Sequence, residues 1–148
     1  MRRILILCCL LGWSCVQGQG LGQNAWLTVI GDPADPAVNT IEVNPVAVAT
    51  QGQLRTMQLR VSRSAQRMSQ DGVAFRSFEA EVVFDCARDG ARFISADFYM
   101  LPLWQGESHK SLRYPNESVR PMEFRGIEPN PRSRIIRAAC KGAGATPR

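Results

Sequence analysis

The sequence predicts an α+β fold, a six-stranded antiparallel β-sheet with a C-terminal helix tethered to the sheet by a disulfide. Three observations predict it. Apolar and polar residues alternate with a period of two along three segments, which is typical of half-buried antiparallel strands. Residues 130–140 instead place their apolar residues on one helical face. Once an N-terminal leader is set aside, two cysteines remain to join the two kinds of element.

The leader occupies residues 1–18, which have the pattern of a secretory signal peptide. A basic start precedes an apolar run of about ten residues and then small and polar residues, whereas a membrane-spanning helix needs about 20 apolar residues. We expect cleavage near Gly18 and export to the periplasm or the outer cell surface. The alternative is a lipoprotein signal in which Cys15 is lipidated and attaches the chain to a membrane, but the residues before Cys15 match a lipobox poorly.

The remaining chain is long enough for one globular domain with one core. Of the 148 residues of the full chain, leader included, 45% are apolar and 21% are charged, as in ordinary soluble domains. We assign residues 19–25, which are rich in glycine and glutamine, to a flexible lead-in. Residues 26–141 form the predicted domain, and residues 142–148 a flexible tail.

Three short strands are predicted at the start of the domain. The first lies in "AWLTV" and ends where Gly31, Asp32 and Pro33 interrupt it. The segments "TIEV" and "VAVAT" form two more strands, which are separated by Asn44 and Pro45, residues typical of turns.

The next three strands show the clearest alternation, in residues 55–63, 77–86 and 92–101. The side chains that we expect to face the core are those of Met57, Leu59, Val61, Phe78, Ala80, Val82, Phe84, Cys86, Ile94, Ala96, Phe98 and Met100. Residues 64–72 are polar, and we expect them to form an exposed, mobile loop.

Burial decides how the last two of these strands pair. A two-residue Asp-Gly turn would place polar residues opposite apolar ones, because a shift of one residue reverses the faces. A three-residue loop from Arg88 to Gly90 instead pairs Phe84 with Ile94. We therefore expect the longer loop, with Gly90 in the left-handed bulge position.

The segment 101–130 is rich in proline and has no sustained period. It predicts a long ordered loop that crosses the surface and is pinned by Trp104, Tyr114 and Phe124. Loops of this length are uncommon unless they are functional or disordered.

A helix is predicted in "NPRSRIIRAAC". Asn130 fits the N-cap, Pro131 the first helical position, and Gly142 can end the helix. The residues on its apolar face are Ile135, Ile136, Ala139 and Cys140. Because a helix of about ten residues is marginal alone, it must dock on the sheet to persist.

Export also determines what the cysteines do. Three of the five cysteines fall within residues 1–18, so the domain keeps Cys86 and Cys140. Two cysteines in an exported protein most often pair, and each of these lies on the apolar face of its element. Zinc is a poor alternative, because His109 is the single histidine and there is no CxxC motif.

No sequence motif indicates catalysis. We therefore expect a protein that is not an enzyme and uses no cofactor or metal. The signatures of serine hydrolases, zinc proteases and nucleotide-binding loops do not occur. His109 could be a general base in a small hydrolase, but the sequence signals no carboxylate partner for it.

The C-terminal third of the chain is basic, since residues 109–148 hold nine lysines and arginines against three acidic residues. Arg132, Arg134 and Arg137 are therefore candidates for binding an acidic partner, although a solvated helix face is the simpler interpretation. No aromatic residues alternate with these arginines, so we expect no nucleic acid as a partner.

Several features follow one another in a fixed order along residues 24–140. They are Trp26, the strand at Thr40-Ile41, the strand end at Asp85-Cys86, the segment Arg92-Phe93-Ile94, and Cys140. In this order they resemble the surface-adhesin protein E family of Gram-negative bacteria.

This resemblance implies a six-stranded antiparallel sheet with a helix tied across its concave face by a disulfide. It also implies a cell-surface adhesin that binds host matrix or plasma proteins, such as laminin, vitronectin and plasminogen, and that can form a homodimer. No binding residue of the family maps onto this chain. The alternative is a periplasmic structural or envelope-associated protein that shares the scaffold but not the function.

Overall fold

The structure is a computed structural model that describes residues 25–141. The leader, its cleavage and lipidation sites, Gly142 and the tail lie outside the described residues. The strands and the helix are β1 Leu27–Ile30, β2 Thr40–Val43, β3 Ala49–Gln51, β4 Leu54–Met68, β5 Ala74–Asp85, β6 Gly90–Tyr99, β7 Lys110–Arg113, β8 Arg120–Pro121 and α1 Arg132–Cys140.

All eight strands belong to one antiparallel sheet. Its order is β1-β2-β4-β5-β6-β7, while β3 pairs with β4 and β8 pairs with β6. The predicted class, a sheet with one C-terminal helix, is confirmed, but the predicted number of six strands was wrong. The additional strands β7 and β8 come from the segment 101–130, where short polar stretches give no alternation and only pairing with β6 makes them extended.

That segment is nevertheless pinned as predicted. Trp104 donates its indole N–H to the backbone oxygen of Phe78 at 3.1 Å, and Phe124 is buried in the core. Leu103 and Trp104 have φ angles of 53° and 58°, which cost about 1–2 kcal/mol each for residues with a Cβ. The backbone N–H groups of these two residues donate to the hydroxyls of Ser62 and Ser77, each at 3.0 Å, which holds the turn in place.

The expectation of a mobile loop at residues 64–72 was wrong. Strand β4 continues to Met68, and a tight turn follows, in which the N–H of Ser69 donates to the oxygen of Val73 at 2.8 Å. The register with β5 shifts between Ser62 and Arg67. Both faces of this extension are exposed beyond the core, so its sequence is polar although its backbone is a strand.

The predicted pairing of β5 with β6 was also wrong. Phe84 pairs with Ala91, not with Ile94, and the loop has four residues, 86–89. The left-handed position in this loop is Asp89, with a φ of 51°, and not Gly90. The longer loop releases Cys86 from the ladder, where it reaches the helix.

A β-bulge in β6 explains why burial alone misled the pairing. The register shifts at Ile94, so that Val82 faces Phe93 on one side of the bulge and Ala80 faces Ala96 on the other. An extra residue moves the inward-facing set from even to odd positions. The assumption of unbroken alternation therefore predicted the wrong partners.

The core lies between one face of the sheet, helix α1 and the segment 122–127. Its buried strand residues are Ile41, Val43, Met57, Leu59, Val61, Ala80, Val82, Phe84, Ala96 and Phe98. The helix adds Ile135, Ile136 and Ala139, and the adjacent segment adds Met122, Phe124 and Ile127. Each large apolar side chain buried here contributes about 1.5–3 kcal/mol, which is what fixes the short helix on the sheet.

The predicted helix and disulfide are confirmed. Asn130 accepts a hydrogen bond from the N–H of Arg132 at 3.0 Å, while Pro131 lies at the cap position, one residue before the predicted place. Cys86 and Cys140 are bonded, with their Cα atoms 5.6 Å apart. Closing a loop of 54 residues stabilises the folded state by about 4 kcal/mol on the chain-entropy estimate.

Within residues 25–141, no helix combines the length and apolarity that crossing a bilayer requires.

Candidate binding site

The three arginines of α1 that the sequence singles out do not point at one place. Arg132 is half-buried, and its Nη2 donates to the backbone oxygen of Asp89 at 3.3 Å. Arg134 donates from Nη2 to the backbone oxygen of Val29 at 2.9 Å. Arg137 is exposed, and its side chain has no hydrogen-bond or ion-pair partner among residues 25–141. Two of the three therefore help to dock the helix.

Arg134 and Arg137 do lie together, because residues three apart share a helix face. They border a shallow depression between α1 and the edge strand β1, where Leu27 and Thr28 form the other wall. Leu27 is exposed. This surface, here called the helix–edge surface, offers one free guanidinium beside apolar side chains and suits a carboxylate of a protein partner.

A second feature is a pocket of about 340 Å³, which the sequence did not indicate. It lies between the protruding end of β4, the strands β5 and β6, and the segment 120–126. Its apolar lining includes Val61, Met68, Phe75, Phe78, Phe93, Ala96, Phe98, Pro121 and Phe124. We call it the phenylalanine pocket.

The phenylalanine rings form one packed wall. Phe75 lies 5.5 Å from Phe78 and 5.5 Å from Phe98, measured between ring centroids, and Phe78 lies 5.9 Å from Phe93. The rings meet edge-on or tilted, as aromatic pairs prefer. Each ring is thus held by its neighbours, and the apolar wall does not depend on a ligand for its shape.

The mouth of this pocket is basic. Its charged lining residues are Arg63, Arg67, Asp71, Arg120, Glu123 and Arg125. Asp71 is already engaged, because it forms an ion pair with Arg120 and accepts a hydrogen bond from the Tyr114 hydroxyl at 3.0 Å. Burial, and then the bond to Asp71, raise the pKa of Tyr114 to about 12. Positive charge at the mouth therefore exceeds negative charge.

Arg63 is the least ordinary of these residues, since only 4% of it is exposed. Its Nη2 donates to the backbone oxygens of Arg125 at 3.1 Å and Gly126 at 3.0 Å. Its Nε is buried and has no partner in the described part of the chain. Burial, together with the positive charge of Arg67, lowers the pKa of Arg63. A buried cation without a counter-ion is costly.

Arg67 also reaches Gly126, but its side chain is exposed to solvent. The Nη2 atoms of Arg63 and Arg67 each lie 3.6 Å from the place that a Cβ on Gly126 would occupy. Arg67 is exposed, and its side chain makes no hydrogen bond or ion pair within residues 25–141. The absence of a side chain at residue 126 thus leaves room between two guanidinium groups.

Sequence reasoning missed this pocket because it needs the extension of β4 and the strand β8, neither of which was predicted. One signal was present. Arg63 continues the inward-facing series Met57, Leu59 and Val61 at the next alternate position of β4. An arginine in line with buried apolar residues indicates a charged group held inside.

The structure provides no catalytic partner for His109 and no metal site within residues 25–141. His109 is exposed, and no partner of its side chain is found between residues 25 and 141. Over the same range, no three residues among His, Cys, Asp and Glu are grouped closely enough to hold a metal ion.

Comparison with known proteins gives one match. A family model described as surface-adhesin protein E matches residues 26–141, the range assigned to the domain from the sequence. No curated protein matches the chain significantly, and no solved structure does so.

Proposed function

This chain belongs to the surface-adhesin protein E family, and from that premise we propose that it is an exported, non-enzymatic adhesin that binds host or extracellular proteins. The observation that carries the proposal is the family match across the whole described domain. Laminin, vitronectin and plasminogen are the partners to test first, because the sequence resemblance implies them. The family suggests a surface or exported protein, and the outer cell surface is the place where such binding is useful.

The helix–edge surface is the contact that we propose for these partners. Arg137 is exposed and unpaired among the described residues, and Arg134 lies beside it next to exposed Leu27. A free cation bordered by apolar side chains suits an acidic segment of an extracellular protein, and charge complementarity mainly raises the association rate and the specificity. Binding should weaken as salt rises, because exposed charges are screened.

A binding experiment with one matched pair of variants tests this surface. Immobilised laminin, vitronectin and plasminogen are probed with the wild-type protein, Arg137→Glu and Arg113→Glu across a salt series. Arg113 is an exposed arginine on β7, the opposite edge of the sheet. We expect Arg137→Glu to weaken binding about tenfold at low salt and Arg113→Glu to leave it unchanged. Equal loss in both variants would contradict the assignment of this surface.

Protease treatment of whole cells separates the adhesin from the periplasmic alternative. A displayed adhesin is cleaved on intact cells, whereas a periplasmic structural protein is cleaved only after the outer membrane is permeabilised. Protection on intact cells, together with no binding to the three proteins, would overturn the proposed function.

A further inference from the structure

We propose that the phenylalanine pocket binds a small carboxylate with an apolar body, such as a medium-chain fatty acid, whose chain lies on the phenylalanine wall and whose carboxylate is bound by Arg63 and Arg67. This inference is independent of the proposed adhesion, which uses the helix–edge surface at α1 and β1.

The apolar part of the ligand follows from the size and lining of the pocket. A volume of about 340 Å³ falls within the range of small-molecule sites, which are concave, mostly apolar and carry a few polar groups. Water gains few hydrogen bonds against Phe75, Phe98 and Ala96, so an apolar chain that displaces it is favoured. Met68, which also lines the pocket and is 66% exposed, extends the apolar path to the surface.

The negative charge of the ligand follows from the two arginines. The Nε of Arg63 is buried without a partner, and its positive charge has no counter-ion among residues 25–141. Arg67 presents a second unpaired guanidinium at Gly126. A carboxylate accepts hydrogen bonds from more than one donor at once, so at Gly126 it would lie between the two guanidinium groups, supply the counter-ion that Arg63 lacks and relieve the repulsion between the two cations.

A single carboxylate fits better than a more highly charged group. Of the cations at the mouth, Arg120 already pairs with Asp71, and Glu123 lies among the lining residues. The free positive charge thus lies on Arg63, Arg67 and exposed Arg125, and of these Arg63 and Arg67 meet at Gly126. The rest of the lining is apolar, and a second negative charge on the body of the ligand would lose its hydration there without a partner.

Calorimetric titration of the exported protein tests the proposal with two probes that share a ten-carbon chain. Decanoate has the carboxylate, and 1-decanol lacks it. We expect saturable binding of decanoate with one site per chain, and binding of 1-decanol that is at least about tenfold weaker, because a hydrogen bond to a charged group is lost. Equal affinity for both, or no binding of decanoate, would overturn the inference.

Variants show whether the ligand is in this pocket. Arg67→Gln is the test, because Arg67 is exposed and unpaired in the described chain, whereas a change at buried Arg63 could prevent folding. Arg113→Gln removes an equally exposed arginine from β7, outside the lining of the pocket, and serves as the control. We expect about a tenfold loss of decanoate affinity in the first and none in the second, with both variants keeping the melting temperature of the wild type. Unchanged affinity in Arg67→Gln would overturn the assignment, whatever the fate of the adhesion experiment.

Discussion

The guanidinium of Arg60 lies 2.7 Å from the carboxylate of Glu42, a residue on the neighbouring strand that is only 2% exposed. Arg60 is also stacked between two indole rings, 4.2 Å from the centroid of Trp26 and 4.0 Å from that of Trp104. Thr28 donates to the other carboxylate oxygen of Glu42 at 2.9 Å. One ion pair therefore joins β1, β2, β4 and the turn that follows β6.

Glu42→Gln should destabilise the fold by about 2–3 kcal/mol, because removing one partner of a buried pair leaves the other charge without its counter-ion. The value is below the upper range for buried pairs because 21% of the Arg60 side chain is exposed. Urea unfolding followed by tryptophan fluorescence measures it. Glu117→Gln, at an exposed position, should change stability by less than about 0.5 kcal/mol. Similar losses in both variants would show that the pair contributes little.

Gly31→Ala should destabilise the fold far more than Gly52→Ala. Both glycines have positive φ, 80° and 58°, so both variants carry the left-handed strain of about 1–2 kcal/mol. A Cβ at Gly31 would clash with the backbone oxygen of Asn39, whereas one at Gly52 meets nothing within 4 Å. The difference between the urea unfolding midpoints of the two variants measures the cost of the steric clash at residue 31. Equal midpoints would mean that the backbone around Asn39 shifts to accommodate the Cβ at little energetic cost.

The features that the sequence predicted well depend on local periodicity. Alternation in β4 and β5 placed Met57, Leu59, Val82 and Phe84 in the core, and they are buried. The spacing of apolar residues in α1 likewise identified the docked face, and two cysteines on facing surfaces identified the disulfide. A strand or helix that buries one face has apolar residues at its own structural period, whichever element it packs against.

The features that the sequence did not predict depend on exceptions to that periodicity. The bulge at Ile94 changes which residues of β6 face inward, and nothing in the local sequence marks an inserted residue. Strand β8 has only two residues, Arg120 and Pro121, and exists because β6 offers an open edge. The phenylalanine pocket needs strand β8 together with the extension of β4, so its aromatic residues were interpreted as ordinary core residues and Arg63 as a break in the apolar series.

Replacing both cysteines, Cys86→Ser and Cys140→Ser, should cost about 4 kcal/mol, a large share of the 5–15 kcal/mol typical of a domain. The helix is the element that we expect to loosen first, because it is short and held by one apolar face. Hydrogen exchange should then be fast in α1 while the centre of β5 stays protected. Equally slow exchange in both would show that packing alone holds the helix.

Alkaline pH should destabilise the protein between about pH 10 and pH 12. The chain has two tyrosines, and the pKa of each is raised to about 12 by burial and by a hydrogen bond to a carboxylate, Glu79 for Tyr99 and Asp71 for Tyr114. The unfolded chain ionises near pH 10 and so loses protons first. The stability gained by keeping both phenols neutral is therefore present below pH 10 and is lost as pH rises towards 12.

Phenolate absorbance measures this shift directly. In the folded protein it should appear close to pH 12, and in urea close to pH 10. Asp71→Asn removes the negative charge beside Tyr114 and should bring the ionisation of that tyrosine to lower pH, while Tyr99→Phe identifies which of the two signals remains. Because Tyr114 and Asp71 also form one rim of the phenylalanine pocket, early ionisation of both tyrosines in the folded wild type would mean that this rim is open to water.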